Sequence, residues 1–145
     1  MDITLESVLR RKGREVFSIS PDSTLYEALK ELADKNVGAL LVLESEKMVG
    51  IISERDYARK VVLQGKSSRN TTVREVMTPG VIAVGINETI ENCMDLMTRN
   101  KIRHLPVVKD GAVVGIISIG DIVKAIISEQ QATIQDLEQY IVGGR

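Results

Sequence analysis

Aromatic residues make up only 3% of this 145-residue chain, and none of them is Trp. The core must therefore be aliphatic, built from Val, Ile, Leu and Met. Stacking platforms for single-stranded nucleic acid are disfavoured for the same reason. A single cysteine, Cys93, excludes an internal disulfide. It fits a reducing compartment, and a cytoplasmic location is the expectation. A single histidine, His104, has no second ligand cluster and makes a poor metal site. Asp2 and Glu6 stand near the start, and no apolar run has the length of a signal peptide or a membrane span. The formal net charge of -1 offers no steering toward nucleic acid or an anionic membrane. The basic run Arg10-Arg11-Lys12-Gly13-Arg14 reads first as a solvated stretch before a strand, and second as a phosphate contact. Walker loops, Gly-x-Gly-x-x-Gly fingerprints and Gly-x-Ser-x-Gly elbows are all missing, which disfavours nucleotide hydrolysis, Rossmann binding and serine nucleophiles.

What the chain does have is a repeat. Val49-Gly50-Ile51-Ile52-Ser53-Glu54-Arg55-Asp56 returns 65 positions later as Val114-Gly115-Ile116-Ile117-Ser118-Ile119-Gly120-Asp121. Such units need a neighbour to bury their apolar faces. The copies run from Val16 to about Leu63 and from Val81 to about Ile127. Each opens on a short apolar run, Val16–Ile19 and Val81–Val84, expected as a strand. Thr24 and Thr89 then offer N-cap oxygens, Thr24 with Glu27 at capping-box spacing. The stripes Leu25, Ala28, Leu29, Leu32 and Ile90, Cys93, Met94, Met97 mark buried helical faces. Cys93 replaces Ala28 and is expected as a small core residue. Two strands follow in each copy. The first pair is joined by Glu44–Lys47, the second by the Lys-Asp-Gly turn at 109–111. Pro106 cannot donate to a ladder and belongs at an edge or a bulge. A closing helix is expected over Asp56–Gln64 and over Asp121 to about Glu129.

The expected class is α/β (α+β), two β-α-β-β-α units. The division is 1–72 for the first repeat with its lead-in and linker, 73–128 for the second, and 129–145 for a C-terminal amphipathic helix. Gly65–Thr71 reads as a polar linker. Ile134, Leu137 and Ile141 place an apolar stripe on the last helix, packed on the body or on a second subunit, with Gly143-Gly144 ending it.

The candidate chemistry is the repeated Gly-Ile-Ile-Ser-x-x-Asp. A strand delivers Ser53 and Ser118, and Asp56 and Asp121 follow at a helix start. Such a corner carries acceptors for sugar hydroxyls and donors for phosphate. Helix capping alone also explains either pair. Two copies with the same upstream glycine favour a site.

Together with Val76-Met77-Thr78-Pro79 and His104-Leu105-Pro106-Val107-Val108, these elements resemble a tandem CBS-domain pair, or Bateman module, over nearly the whole chain. The resemblance implies two CBS repeats packed with pseudo-twofold symmetry. It implies a non-catalytic regulator that binds adenine nucleotides in two clefts, with AMP, ADP, ATP, NAD(H) or S-adenosylmethionine as ligand. A homodimer and an unidentified protein target are implied too. Carried over by residue, Asp56 and Ser53 take the sugar of the first cleft, Val81 and Ile82 meet the adenine, and Arg103 and His104 face the phosphate. In the second, Asp121 and Ser118 take the sugar, Val16 and Phe17 line the base pocket, and Arg55 faces the phosphate. Arg103-His104 replace Gly38-Ala39, and Gly120 replaces Arg55. That asymmetry assigns the more anionic phosphate to the Asp56 cleft. The competing reading is a structural dimerisation or interaction module with vestigial clefts. A nucleotide-using enzyme is disfavoured, since no acid–base pair or metal cluster accompanies the clefts.

Overall fold

The computed structural model describes residues 3–143. It holds helix α1 (Leu5–Lys12), strand β1 (Ser18–Ile19), helix α2 (Leu25–Lys35), strands β2 (Ala39–Glu44) and β3 (Lys47–Ser53), helix α3 (Glu54–Tyr57) and a π-helical turn over Ala58–Val62. Helix α4 (Val73–Val76), strand β4 (Val84–Gly85), helix α5 (Ile90–Asn100), strands β5 (His104–Lys109) and β6 (Ala112–Ser118), and helix α6 (Ile119–Gly143) follow. The expected end of the last helix at Gly144 lies outside the described residues.

Two three-stranded sheets result, β1-β2-β3 and β4-β5-β6. The short first strand of each runs parallel to the middle strand, which pairs antiparallel with the third. The hairpin turns fall at Ser45-Glu46 and Asp110-Gly111, all four residues at positive φ. This is the turn shape whose twist matches paired strands. The first copy achieves it without glycine.

Helices α2 and α5 start and stop at equivalent places. Thr24 and Thr89 accept from the backbone N–H of Glu27 and Asn92. Asn36 and Lys101, again 65 apart, close the helices in the left-handed conformation. The buried faces are Leu25, Ala28, Leu32 and Ile90, Cys93, Met97.

The chain divides into two compact units, but not at residue 72. One runs Val16–Ile82, and the other joins the chain up to Glu15 to the chain from Ala83 onward. Each lead-in segment thus belongs with the repeat it does not precede. In the unit of the second repeat, Leu5, Val8 and Leu9 of α1 are buried, and Thr4 bridges Thr89. In the other, Val73 and Val76 join the core of Leu25, Leu40, Val42 and Ile52, and Thr72 bridges Thr24. The glycine before each Ile-Ile-Ser explains the fit. A Cβ on Gly50 would stand 2.6 Å from Met77 Sδ, and one on Gly115 would stand 2.5 Å from Leu9 Cδ2.

Several expectations need correction. The opening strands are shorter than Val16–Ile19 and Val81–Val84, and Val16, Phe17, Val81 and Ile82 lie outside them. Pro106 sits in the middle strand rather than at an edge. Strand β5 carries a register shift at Val107/Val108, as β2 does at Val42/Leu43, and strand β4 pairs only with Val107 and Val108. The proline is itself the reason: Leu41, its counterpart, pairs with Ser18 and donates its N–H to Phe17 O at 3.1 Å. Pro106 has no N–H to give, so β4 begins one residue later. The stretch 65–71 is no free linker. Thr71 is buried, the Thr71 and Ser68 carbonyls accept from Leu25 and Tyr26, and Arg69 lies over the Tyr26 ring. Its backbone satisfies the orphan N–H groups at the start of α2. Finally, the second closing helix and the C-terminal helix are one, α6. Residues 129–141 are exposed on every side, so this half packs on no part of the described chain.

Candidate functional site

The two Ser–Asp corners form where β3 and β6 run into a helix. Ser53 caps α3. Its N–H and hydroxyl donate to Asp56 Oδ2 at 3.0 Å each, and the Asp56 N–H donates to Ser53 Oγ at 3.2 Å. At the second corner the Ser118 N–H donates to Asp121 Oδ2 at 2.8 Å, and the Asp121 N–H returns to Ser118 Oγ at 3.1 Å. Capping explains these bonds. It does not explain what else meets the carboxylates, which are mostly buried, with side chains 14% and 17% exposed.

At the first corner Lys60 Nζ stands 3.2 Å from Asp56 Oδ1. The π-helical turn carries Lys60, and its ammonium also donates to Val76 O at 3.1 Å and Thr78 Oγ1 at 3.4 Å. The Thr78 hydroxyl lies 3.5 Å from the same Asp56 oxygen. Met77-Thr78 is pinned in place by the exchange of two backbone bonds between Thr78 and Ile51. Widened π turns recur at functional sites because they displace one side chain from the regular helical face.

At the second corner the lysine comes from elsewhere. Lys12, at the end of α1, reaches Asp121 Oδ2 at 2.6 Å and donates to Ile116 O. Burial disfavours the charged carboxylate of Asp121. The Lys12 ammonium and the Ser118 N–H outweigh it and hold the group below its ordinary value of 3.8.

Within its own unit His104 is paired with Ser118, and the Arg103 carbonyl accepts from Ile119 N–H at 3.0 Å. His104 therefore starts β5 beside the second Ser–Asp corner, with Arg103 immediately before it. Arg55 lies inside the capped turn between Ser53 and Asp56. Phe17 is half-buried against the core of the first repeat, with Lys35 Nζ 5.3 Å from its ring centre. Val81 and Ile82 are half-buried in the loop before β4. The sequence reading places Lys12 only in the basic run and Thr78 only in the Val76–Pro79 element, and it does not single out Lys60. The signal available was a substitution: Ala125 stands in the second copy where the first has Lys60.

Cys93 is fully buried, and desolvation, with Glu88 adding to it, pushes its thiol up to about 11. It is a core residue and no nucleophile. Among the described residues no group of acids, histidines and cysteines could hold a metal ion, and no helix is long and apolar enough to cross a membrane.

Comparison with known proteins fits this geometry. The CBS domain profile matches residues 5–63 and 73–128. The chain is similar to the CBS domain-containing protein CBSX3, mitochondrial, of Arabidopsis thaliana, 41% identical over 97% of this chain and 73% of the relative. The crystal structure of the CBS domain NE2398 superimposes with a TM-score of 0.81 at 46% identity, covering 86% of this chain and 98% of that one. The CBS domain pair of protein MJ0100, solved with 5-methylthioadenosine and S-adenosyl-L-methionine, gives a TM-score of 0.77 at 28% identity over 88% of this chain and 98% of that one. This chain belongs to the CBS-domain family, as a tandem pair of repeats.

Proposed function

We propose that this chain is a non-catalytic regulatory module that binds an adenosine-containing ligand at its Ser–Asp corners and signals the bound state to a protein partner. The observation that carries this reading is the repeated corner itself. Twice, a mostly buried aspartate is oriented by a strand-end serine and met by a lysine. An oriented carboxylate suits the paired hydroxyls of a ribose. The ligands of the MJ0100 pair, methylthioadenosine and S-adenosyl-L-methionine, both carry that sugar.

Asp56 and Asp121 then hold the sugar, with Ser53 and Ser118 beside it. Val81, Ile82, Val16 and Phe17 supply the surroundings of the base. Pro106 supports a role for Ile82: the carbonyl of its counterpart Phe17 is taken up by a strand N–H, and proline offers none. Arg103, His104 and Arg55 are the phosphate-facing groups, so AMP, ADP, ATP and NAD(H) stand as candidate ligands. Signalling requires the ligand to favour one state of the module over another. The reading includes a homodimer and a cytoplasmic setting. The single buried thiol is compatible with a reducing compartment.

The test is a thermal-shift panel with AMP, ADP, ATP, NAD, NADH and S-adenosylmethionine on the wild type, Asp56→Ala and Asp121→Ala. A ligand at about 100 times its dissociation constant stabilises the native state by about 2.7 kcal/mol. A rise in Tm abolished by one substitution supports the reading and identifies the working corner. Folded, ligand-free protein that responds to none of the six returns the family member to the role of an interaction module.

A further inference from the structure

The two corners neutralise the same acid with lysines of different origin, and they do so on different oxygens. At the first, Ser53 occupies Asp56 Oδ2 while Lys60 and Thr78 occupy Oδ1. Both carboxylate oxygens are engaged. At the second, Ser118 and Lys12 share Asp121 Oδ2. Lys60 is replaced there by Ala125, which is buried in the unit core. Ile51 O accepts the Thr78 N–H in the first repeat, and its counterpart Ile116 O accepts from the Lys12 ammonium instead. One side chain from α1 thus takes over two contacts that separate groups make in the first copy.

Lys12 is held there by more than the ion pair. Leu9, one turn earlier, is fully buried against the gap left by Gly115. An ammonium has three N–H groups. Two of them serve Ile116 O and Asp121 Oδ2, which leaves the third beside a carboxylate whose Oδ2 already carries both Ser118 and Lys12. An adjacent donor and acceptor fit a sugar hydroxyl, which accepts from one and donates to the other.

We infer that Lys12 is a binding residue of the second repeat's corner, directed at the ribose diol of a nucleoside rather than at a phosphate, and that α1 is therefore part of that site. The inference rests on the adenosine-ligand reading above. It adds the residue, the part of the ligand it recognises, and the element that senses occupancy. By contrast, a diol entering the first corner must displace Lys60 or Thr78 from Asp56 Oδ1.

The experiment titrates full-length protein with adenosine and with AMP by calorimetry. Wild type, Lys12→Met and Lys12→Arg are compared in an Asp56→Ala background that silences the first acid, and melting curves confirm folding. Lys12→Met is expected to weaken adenosine and AMP alike by about tenfold or more, the loss of one hydrogen bond to a charged group. Lys12→Arg, which keeps charge and donors, should stay within about threefold of wild type, a fraction of that single bond. Adenosine should also slow amide hydrogen exchange in α1 of the wild type and leave it unchanged in Lys12→Met. A selective loss of AMP overturns the diol assignment, because Lys12 would then face the phosphate. Unchanged adenosine affinity in Lys12→Met overturns Lys12 as a binding residue while the ligand reading stands. An Asp56→Ala parent that binds neither compound overturns the inference, because the second corner then takes no nucleoside. The ligand reading falls with it only if protein with Asp56 intact binds neither as well.

Discussion

A carboxylate buried without a partner costs several kcal/mol, so a buried aspartate is informative through what meets it. Asp121 meets Lys12, and this has a measurable consequence in acid. Its folded pKa lies below the ordinary 3.8, so the native state binds its proton later than the unfolded chain does. The stability this confers is present above about pH 4 and lost as pH falls through the depressed folded value. The titratable side chain facing it is Lys12, with Nζ 2.6 Å from Asp121 Oδ2. Because the pair is partly exposed, solvent screening holds the effect to about 1 kcal/mol or less. Asp121→Asn, which keeps a capping oxygen but cannot ionise, should flatten the fall of Tm below pH 4 by about 2–4 °C. Melting curves at pH 7, 5, 4 and 3 check this, and parallel curves for the two proteins would show that the Lys12 contact adds nothing. Sequence could place Asp121 but not its partner. A basic run reads as solvated surface, and nothing local distinguishes Lys12 from Arg11.

At the scale of elements, what was legible was local. The threonine caps and apolar stripes of α2 and α5 follow from neighbours in sequence, as does the Asp110-Gly111 turn, and all are found in the structure. What was illegible depended on distant backbone. The polar stretch 65–71 has the composition of a linker, yet its carbonyls serve the start of α2. The onset of β4 depends on a missing N–H at Pro106 in the next strand. Chain order suggests that each lead-in helix packs on the repeat it precedes, but Leu9 fills the space at Gly115 and Met77 the space at Gly50, each in the other repeat. That last point is testable. Gly115→Val must displace the buried Leu9, and overpacking of this kind costs about 1–3 kcal/mol. Hydrogen exchange should locate the damage in α1, with Val16–Ile82 protected as before. Equal loss of protection in both units would show that α1 docking is not a separable element.

On the scale of the whole molecule, the exposed half of α6 is the feature a lone chain leaves unexplained. Ile127, Ile134 and Ile141 recur every seven residues, with Val123 and Leu137 at the intervening positions and Gln130 as the one polar break. All five apolar residues are at least 47% exposed. This is the a/d pattern of a two-stranded seam, and a single polar residue in such a seam fixes register at some cost in stability. Residues 129–141 extend for about 20 Å as a regular helix. A second copy of the same helix offers the matching seam, which makes it the expected cover and gives the proposed homodimer a specific place. Leu137→Asp would put a charge in the middle of that seam without touching either Ser–Asp corner. Sedimentation equilibrium at micromolar concentration should give twice the chain mass for the wild type and the single-chain mass for the variant. A wild type that is monomeric, or a variant that stays dimeric, removes α6 as the dimer contact. If the dimer does form there, Asp121 lies on the same continuous helix, two residues past its start. The Ser–Asp corner of the second repeat and the subunit contact would then share one rigid element, and a shift of α6 at one end would be felt at the other.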